Sequence, residues 1–250
     1  MTWLTLLPTA SVVFAFNESN LAGKIIVFVL FLGSVFAWSI MLTKFRDFSR
    51  ARAATDRFLG AYRRDEHPVG LFLKRESYAP SPLDAIYMHA CEALATALEA
   101  RGADRGDLFM GGVGSTMHRL GEMQVSAVRN VAERTMADEA LMLEDSMGLL
   151  ATAVTAAPFL GLLGTVWGVM EAFSGMAATG SPMLSAVAPG ISGALLTTVV
   201  GLLVALPSSI GYNMLSNKIR RFCVEMDNFS QELNQDVERY FLHEGPSDGA

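Results

Sequence analysis

The chain has 250 residues, a formal net charge of -6 at pH 7, 51% hydrophobic residues and 18% charged residues. Soluble domains carry about 25% charged residues, so this balance favours a membrane protein. The acidic balance argues against a nucleic-acid-binding protein, which would present a basic face. Cys91 and Cys223 lie far apart and predict neither a disulfide framework nor a zinc site.

The first apolar run lies between Lys24 and Lys44 and contains no charged residue. As a helix, residues 25–43 would rise about 28 Å, close to the thickness of the hydrocarbon core of a bilayer. The alternative is a cleavable signal peptide, which needs a basic segment before the apolar run, but no Lys or Arg precedes Lys24. We therefore predict an N-terminal segment at residues 1–24 and a transmembrane helix at residues 25–43.

Residues 44–145 are polar and mostly helical in pattern, which predicts a helical domain. Ser81 is a candidate N-cap of a helix whose apolar face would contain Ile86, Ala90, Ala93, Leu94 and Ala97. The helical pattern from Thr116 continues without proline into the second apolar run, with Gly121 as its one weak point. We expect one long helix there.

The second apolar run follows Asp145, and the third uncharged region ends at Asn217. The stretch "SGMAATGSPM" between them has the Gly and Ser-Pro composition of a loop. We predict a transmembrane helix at residues 146–173, a loop at residues 174–189 and a transmembrane helix at residues 190–212.

Residues 213–250 predict an amphipathic helix followed by a tail. One apolar stripe recurs at helical spacing and contains Phe222, Met226, Phe229, Leu233 and Val237. We expect this stripe to pack on the polar-segment helices of the same or a neighbouring chain. A dedicated site for another protein is the alternative.

The basic residues predict the orientation in the membrane, because Lys and Arg are enriched in cytoplasmic segments. None precedes Lys24 and none lies between the second and third apolar runs, whereas several follow the first and the third: Lys44, Arg46, Arg50, Arg52, Arg57, Arg63, Arg64, Lys218, Arg220 and Arg221. The N-terminus and the short loop are therefore expected outside, with the long central segment and the C-terminus in the cytoplasm. The predicted fold class is an all-α membrane protein with three transmembrane helices and long helices that extend into the cytoplasm.

The second and third predicted transmembrane helices each carry one face of small residues and hydroxyls. These are Gly161, Gly164, Thr165 and Gly168 on the second, and Gly190, Gly193, Ala194, Thr197, Thr198 and Gly201 on the third. Such faces let membrane helices approach closely, and their hydroxyls can bond across the contact. Thr165 and Thr198 are either packing residues bonded to the carbonyl four residues earlier or the polar lining of an internal path. We expect that one three-helix chain cannot bury both faces alone, which predicts a homo-oligomer with these faces turned to a central space.

Little in the sequence points to catalysis. The four histidines are scattered without a metal-binding pattern, and "GGVGSTMHRLG" lacks the lysine of a phosphate-binding loop. We therefore expect no metal, no cofactor and no enzymatic activity. Glu171, at the outer end of the second transmembrane helix, is either an interfacial residue or part of an ion-uptake site. Without a carboxylate at mid-membrane the chain cannot hold a proton there by itself.

Two stretches, "APFLGLLGTVWGVMEAF" (Ala157 to Phe173) and "APGISGALLTTVVGLLVALPSSIGYN" (Ala188 to Asn213), resemble the MotA/TolQ/ExbB proton-channel family. The three predicted transmembrane helices and the large loop after the first one are most similar to the TolQ and ExbB branch, since MotA-like subunits have four.

The resemblance implies an inner-membrane motor subunit of bacteria that couples the proton motive force to work on the cell envelope. It further implies that five such chains surround the single transmembrane helices of two TolR/ExbD-like partners, whose membrane aspartate takes up and releases protons. Thr165 and Thr198 would line the ion path, and Pro158 and Pro189 would be helix-breaking prolines. A scaffold subunit that binds a partner without moving ions is the alternative.

One position departs from the family pattern. TolQ and ExbB usually have glutamate in a "PGIAEAL" pattern, whereas "PGISGAL" places Gly193 there. Either the glutamate is dispensable in this branch, or the ion path differs, or the chain serves another load.

The predicted orientation is testable with a reporter that is active only outside the cytoplasm. Inserted near Thr179, it should be active, and inserted near Gly102, it should be silent, because basic residues surround only the second site. The reverse pattern would overturn the orientation.

Overall fold

The computed structural model describes residues 9–65, 67–100, 120–179 and 184–241, and these ranges are built from helices without a β-strand. The helices are α1 (Thr9–Glu18), α2 (Leu21–Tyr62), α3 (Gly70–Leu73), α4 (Pro82–Glu99), α5 (Glu122–Glu144), α6 (Met147–Thr179) and α7 (Leu184–Phe241). Three helical segments of the described residues are long and apolar enough to cross a membrane, namely Leu21–Tyr62, Glu122–Ala178 and Val187–Phe241. The predicted all-α class with three such helices is confirmed.

The chain forms two compact units. We call Met1–Lys44 with Ser146–Leu215 the apolar unit, and Phe45–Asp145 with Ser216–Ala250 the polar unit. Helices α2 and α7 each contribute residues to both units. The second unit contains the polar segment and the C-terminal stripe that the sequence predicts.

An aromatic cluster lies at the centre of the polar unit. Phe58 is fully buried and its ring contacts the rings of Tyr87 and Phe229, with centroids 5.6 and 5.2 Å away. Tyr62 completes the cluster and donates a hydrogen bond of 2.7 Å to Asp236. Each aromatic pair adds about 0.5–1.5 kcal/mol beyond the burial of its apolar area. The cluster therefore joins α2, α4 and the C-terminal half of α7.

Two local predictions for the polar unit are confirmed. Ser81 caps α4, and its hydroxyl accepts a hydrogen bond of 3.4 Å from the Asp84 backbone N–H. Four members of the predicted stripe of α7 are buried in the same core as the apolar face of α4, namely Met226, Phe229, Leu233 and Val237. The fifth, Phe222, is buried with its ring against that of Phe48. The stripe packs within its own chain, as the first of the two alternatives predicts.

The expectation of one long helix from Thr116 into the second apolar run is wrong at Asp145 and Ser146. Helix α5 ends at Glu144 and α6 begins at Met147, with Ser146 in the left-handed region at φ 61°. Short polar side chains compete with helical backbone hydrogen bonds, which explains why the break falls at Asp-Ser. Residues 116–119 lie outside the described ranges, and α5 begins after Gly121, whose N–H donates to the Gln124 side chain at 3.1 Å.

The predicted outer loop is shorter in the structure. Helix α6 continues to Thr179 and α7 begins at Leu184, so residues 174–179 and 184–189 are helical and only 180–183 lie outside the described residues. Methionine and alanine favour helix, and a single Gly costs only about 1 kcal/mol there. The Gly and Ser-Pro composition therefore predicts a longer loop than the structure has.

Pro158 and Pro189 lie inside α6 and α7, so neither breaks its helix. Proline removes one helical hydrogen bond and crowds the carbonyl four residues earlier. Membrane helices tolerate this because neighbouring helices and local backbone adjustments satisfy the freed groups. The expectation of helix-breaking prolines is corrected accordingly.

A buried carboxylate lies beside the N-terminus of α4. Asp84 is 4% exposed, and its Oδ2 accepts hydrogen bonds from the Tyr78 N–H at 2.8 Å and the Ser77 hydroxyl at 3.2 Å. Burial raises the pKa of Asp84, and these two hydrogen bonds only partly oppose the increase. Its Oδ1 is buried without a hydrogen-bond partner among the described residues.

We predict that Asp84→Asn makes the stability of the polar unit less dependent on pH. The folded-state pKa lies above the unfolded value of about 3.9, so the aspartate is most favourable below that pH and destabilises the fold as pH rises through the folded pKa. The free energy of unfolding of the variant minus that of the wild type should thus become more positive from acidic to neutral pH. Amide hydrogen exchange of α4 in the detergent-solubilised protein measures this difference, and a pH-independent difference would contradict the prediction.

Candidate functional site

Helices α6 and α7 approach each other closely in the apolar unit at two glycines. A Cβ atom on Gly201 would lie 2.6 Å from the carbonyl oxygen of Ala157 and 3.1 Å from Cα of Gly161. A Cβ atom on Gly161 would lie 2.8 Å from the carbonyl oxygen of Thr197. Side-chain atoms do not approach a backbone so closely, so this crossing requires glycine on both helices.

The contact continues towards the C-terminal end of α6 and the N-terminal end of α7. A Cβ atom on Gly168 would lie 2.6 Å from Cβ of Ala194, and one on Gly190 would lie 3.2 Å from Cβ of Ala172. From Ala157 to Ala172, α6 rises about 22 Å, most of the hydrocarbon thickness of a bilayer. The small residues therefore form a continuous interhelical seam, which we call the glycine seam (Ala157, Gly161, Gly164, Gly168, Ala172, Gly190, Ala194, Thr197 and Gly201).

The glycine seam contradicts one expectation from the sequence, namely that the small faces need a second chain to bury them. The two small faces bury each other within one chain, so the premise that one chain cannot bury them is wrong. They pair because the faces have the same helical spacing and neither carries a side chain large enough to hold the helices apart. The small faces of α6 and α7 therefore need no second copy of the chain to be buried.

A cluster of three threonine hydroxyls lies at the centre of the glycine seam. Thr197 is fully buried, and its Oγ1 lies 2.9 Å from the Gly161 carbonyl oxygen and 2.7 Å from the Ala194 carbonyl oxygen. The half-buried Thr165 and Thr198 hydroxyls bond to each other, and each lies within hydrogen-bond distance of the Gly161 carbonyl oxygen, at 3.1 and 3.2 Å. The structure thus brings both predicted path residues together.

The hydroxyls act both as packing groups and as polar groups between helices. Thr165 bonds to the carbonyl four residues earlier and also lies 3.2 Å from the Ala194 carbonyl oxygen of the other helix. Each hydroxyl has one proton and two lone pairs. Since the protons are directed at carbonyls or at one another, the unused capacity of the cluster is to accept hydrogen bonds from a water or from a protonated carboxyl group.

Thr197 is the member of the cluster that the sequence does not single out as a path residue. It lies beside Thr198 in "LLTTVV", and its position on the small face was the only signal. In the structure α2 also packs against Thr197, because a Cβ atom on Gly23 would lie 3.6 Å from Cγ2 of Thr197. Residues of α2, α6 and α7 therefore meet at this side chain.

Gly193 is enclosed by the backbone of the N-terminal segment. A Cβ atom there would lie 2.7 Å from Cα of Ser19, 2.9 Å from its backbone nitrogen and 3.0 Å from the Ala15 carbonyl oxygen. No side chain fits this position without displacing that segment. The glycine in "PGISGAL" therefore has a packing role in this chain.

Glu171 is exposed on α6, and its Oε2 accepts a hydrogen bond from Nδ2 of Asn20. Within the described ranges, no three His, Cys, Asp or Glu side chains lie close enough together to hold a metal ion.

Comparison with known proteins relates this site to a transport family. The sequence profile of the MotA/TolQ/ExbB proton channel family matches residues 106–228, which include the glycine seam and the threonine cluster. Similar proteins include the biopolymer transport protein ExbB of Pseudomonas putida, 39% identical over 45% of this chain and 34% of that protein. ExbB of Xanthomonas campestris pv. campestris (strain B100) is 35% identical over 64% of this chain and 58% of its own length.

The Tol-Pal system protein TolQ of Haemophilus influenzae is 26% identical over 92% of this chain and 95% of its own length. By contrast, the matches to the two ExbB proteins span 34% and 58% of those proteins. The agreement with TolQ therefore extends over almost the whole chain, at lower identity.

We predict that Gly201→Ala destabilises the protein, whereas Gly33→Ala and Gly175→Ala do not. The first substitution places a methyl group against the backbone of α6, while no atom lies within 4 Å of a Cβ at either control position. Overpacking costs about 1–3 kcal/mol. The temperature at which half of the detergent-solubilised protein remains monodisperse measures the effect. Equal values for the three variants would contradict the close crossing at Gly201.

Proposed function

The chain belongs to the MotA/TolQ/ExbB proton channel family, in its TolQ/ExbB branch, and from this membership we propose that it is a subunit of a proton-driven motor in the bacterial inner membrane. The motor couples the proton motive force to work on the cell envelope. The observation that carries the proposal is the hydroxyl cluster of Thr165, Thr197 and Thr198. The cluster lies between two helices that are long and apolar enough to cross a membrane, and within the residues that the family profile matches.

The chain needs a partner that supplies the proton carrier. Between residues 146 and 217 the sequence has one carboxylate, Glu171, and no Lys, Arg or His. Glu171 lies six residues from Thr165, about 9 Å along the helix and towards its outer end. In the proposal, a TolR/ExbD-like single-span protein provides the mid-membrane aspartate, and several copies of this chain surround it, five by the resemblance. The N-terminus is periplasmic and the C-terminus cytoplasmic.

The threonine cluster suits this role chemically. A buried carboxyl group keeps its proton because its charged form loses solvation. Hydroxyl oxygens with unused lone pairs can accept a hydrogen bond from the protonated carboxyl, and a rotated hydroxyl can donate to the carboxylate after the proton leaves. The cluster can therefore stabilise both states in turn without a fixed charge that would trap the proton.

A non-conducting scaffold is the second candidate, and one observation favours it. The three hydroxyls already bond to Gly161, to Ala194 and to each other, as they would in a contact that only holds two helices together. In that case the chain would bind a single-span partner through other surfaces of the apolar unit.

Proton flux into liposomes separates the two candidates. The chain is co-purified with a TolR/ExbD-like protein and reconstituted, and proton entry is followed with a pH-sensitive dye under a membrane potential. A motor subunit should give flux that depends on the partner. An intact reconstituted complex without flux would support the scaffold and contradict the motor.

We predict that Thr165→Ala and Thr198→Ala reduce proton flux while expression and assembly remain near normal. A hydrogen bond between membrane helices contributes only about 0.6–2 kcal/mol, so its loss should not unfold the protein. Serine at either position should retain more flux than valine, because serine keeps the hydroxyl and valine keeps the shape.

Thr152→Ala is the matched control, because that hydroxyl bonds to Gly148 of its own helix, outside the cluster. It should leave the flux unchanged. Valine variants that conduct and serine variants that fail would show that Thr165 and Thr198 matter for packing alone.

A further inference from the structure

The N-terminal segment 12–20 is seated on α7 through Gly193. The backbone of Ser19 and Ala15 occupies the space where a side chain at position 193 would lie. Both residues are buried, at 6% exposure each. We call this segment the N-terminal clamp, and Gly193 is its seat.

Asn20, the last residue of the clamp, forms side-chain hydrogen bonds to both α2 and α6. Oδ1 of Asn20 accepts a hydrogen bond of 2.7 Å from the Gly23 N–H and so caps α2. Nδ2 of the same side chain donates to Glu171 on α6. Nearby, the Lys24 ammonium donates to the Asn17 carbonyl oxygen at 3.0 Å, which ties α2 back to the clamp. The amide of Asn20 is therefore fixed on one side and presented to Glu171 on the other.

Glu171 is the one carboxylate that the sequence offers on α6 and the membrane part of α7. The charged residues that flank Asn20 in the sequence are Glu18 on the clamp and Lys24 on α2. Helix α7 has no charged residue before Lys218. An exposed carboxylate at the end of a membrane helix raises the local concentration of cations. Glu171 lies beside Ala172 at the end of the glycine seam. The cation concentration is therefore raised on the outer side of the threonine cluster.

We propose that Glu171 is the ion-uptake group of this subunit and that the N-terminal clamp positions it, with Asn20 as the positioning residue and Gly193 as the seat. The proposal rests on the proposed function for the nature of the ion and for the orientation. The negative charge of the carboxylate raises the proton concentration in the water at the mouth of the path, from which the path is loaded. A side chain at position 193 would displace the clamp and with it the Asn20 amide.

The first experiment tests the seat without any transport assay. Cys91→Ala and Cys223→Ala remove the native thiols, and a short bifunctional thiol reagent then reports the contact between Asn20→Cys and Glu171→Cys, because the hydrogen bond joins the ends of two side chains rather than their Cβ atoms. The cross-link should form readily when position 193 is glycine. Gly193→Leu should lower its yield several-fold, whereas Gly175→Leu, at a position with open space around it, should not. Equal yields in the two leucine variants would contradict the claim that Gly193 positions the N-terminal clamp.

The second experiment measures proton flux in the reconstituted complex as a function of the outer proton concentration. Glu171→Gln should raise the concentration needed for half-maximal flux and leave the maximal flux nearly unchanged, because an uptake group governs loading rather than passage. Glu171→Asp should rescue it. Asn20→Ala should raise the same value by about threefold to tenfold, the effect of losing one typical hydrogen bond. Asn17→Ala on the same segment should have no effect, since Asn17 contributes its backbone carbonyl.

The outcomes separate this inference from the proposed function. Wild-type flux with the same half-maximal concentration in Glu171→Gln would overturn the uptake role and leave the motor proposal standing. A fall in maximal flux alone would also overturn it, because it would indicate a structural defect. No flux in the wild-type complex would overturn both the motor proposal and the uptake role.

Discussion

The apolar unit depends on the absence of side chains at Gly161 and Gly201. In a bilayer there is no hydrophobic force between helices, because lipid is as apolar as leucine, so helices associate through packing and interhelical hydrogen bonds. Packing on this scale requires the backbones of α6 and α7 to come close, and glycine on both helices permits it. The threonine cluster follows from that approach, since a hydroxyl on one helix then reaches a carbonyl on the other.

The local features of the chain were predictable because their causes are local. Ser81 precedes a helical pattern and caps it, and the α7 stripe has the spacing that places all its members on one face. The break at Ser146 was missed because two polar residues in a long helical pattern are weak evidence against the many helix-favouring residues around them. The partner of each small face was also missed, since spacing shows that a face exists but does not show what it contacts.

The candidate site was predictable in part for the same reason. Thr165 and Thr198 follow from the small faces and from the family resemblance, and the structure brings them together. The burial of Thr197 and the enclosure of Gly193 depend on contacts between residues far apart in the chain, such as Ser19 with Gly193. No pattern in one sequence reports such contacts.

The central structural claim is that α6 and α7 pair along the glycine seam within a single chain. Cysteines at Ala172 and Gly190 test it most directly, in a chain that lacks Cys91 and Cys223, because their Cβ atoms would lie 3.2 Å apart, near the separation found in disulfides. Oxidation should form a bond inside one chain, so that the double variant stays monomeric on a non-reducing denaturing gel, and two co-expressed single variants should not cross-link. Cross-linking between the two single variants, with no bond inside the double variant, would contradict the claim.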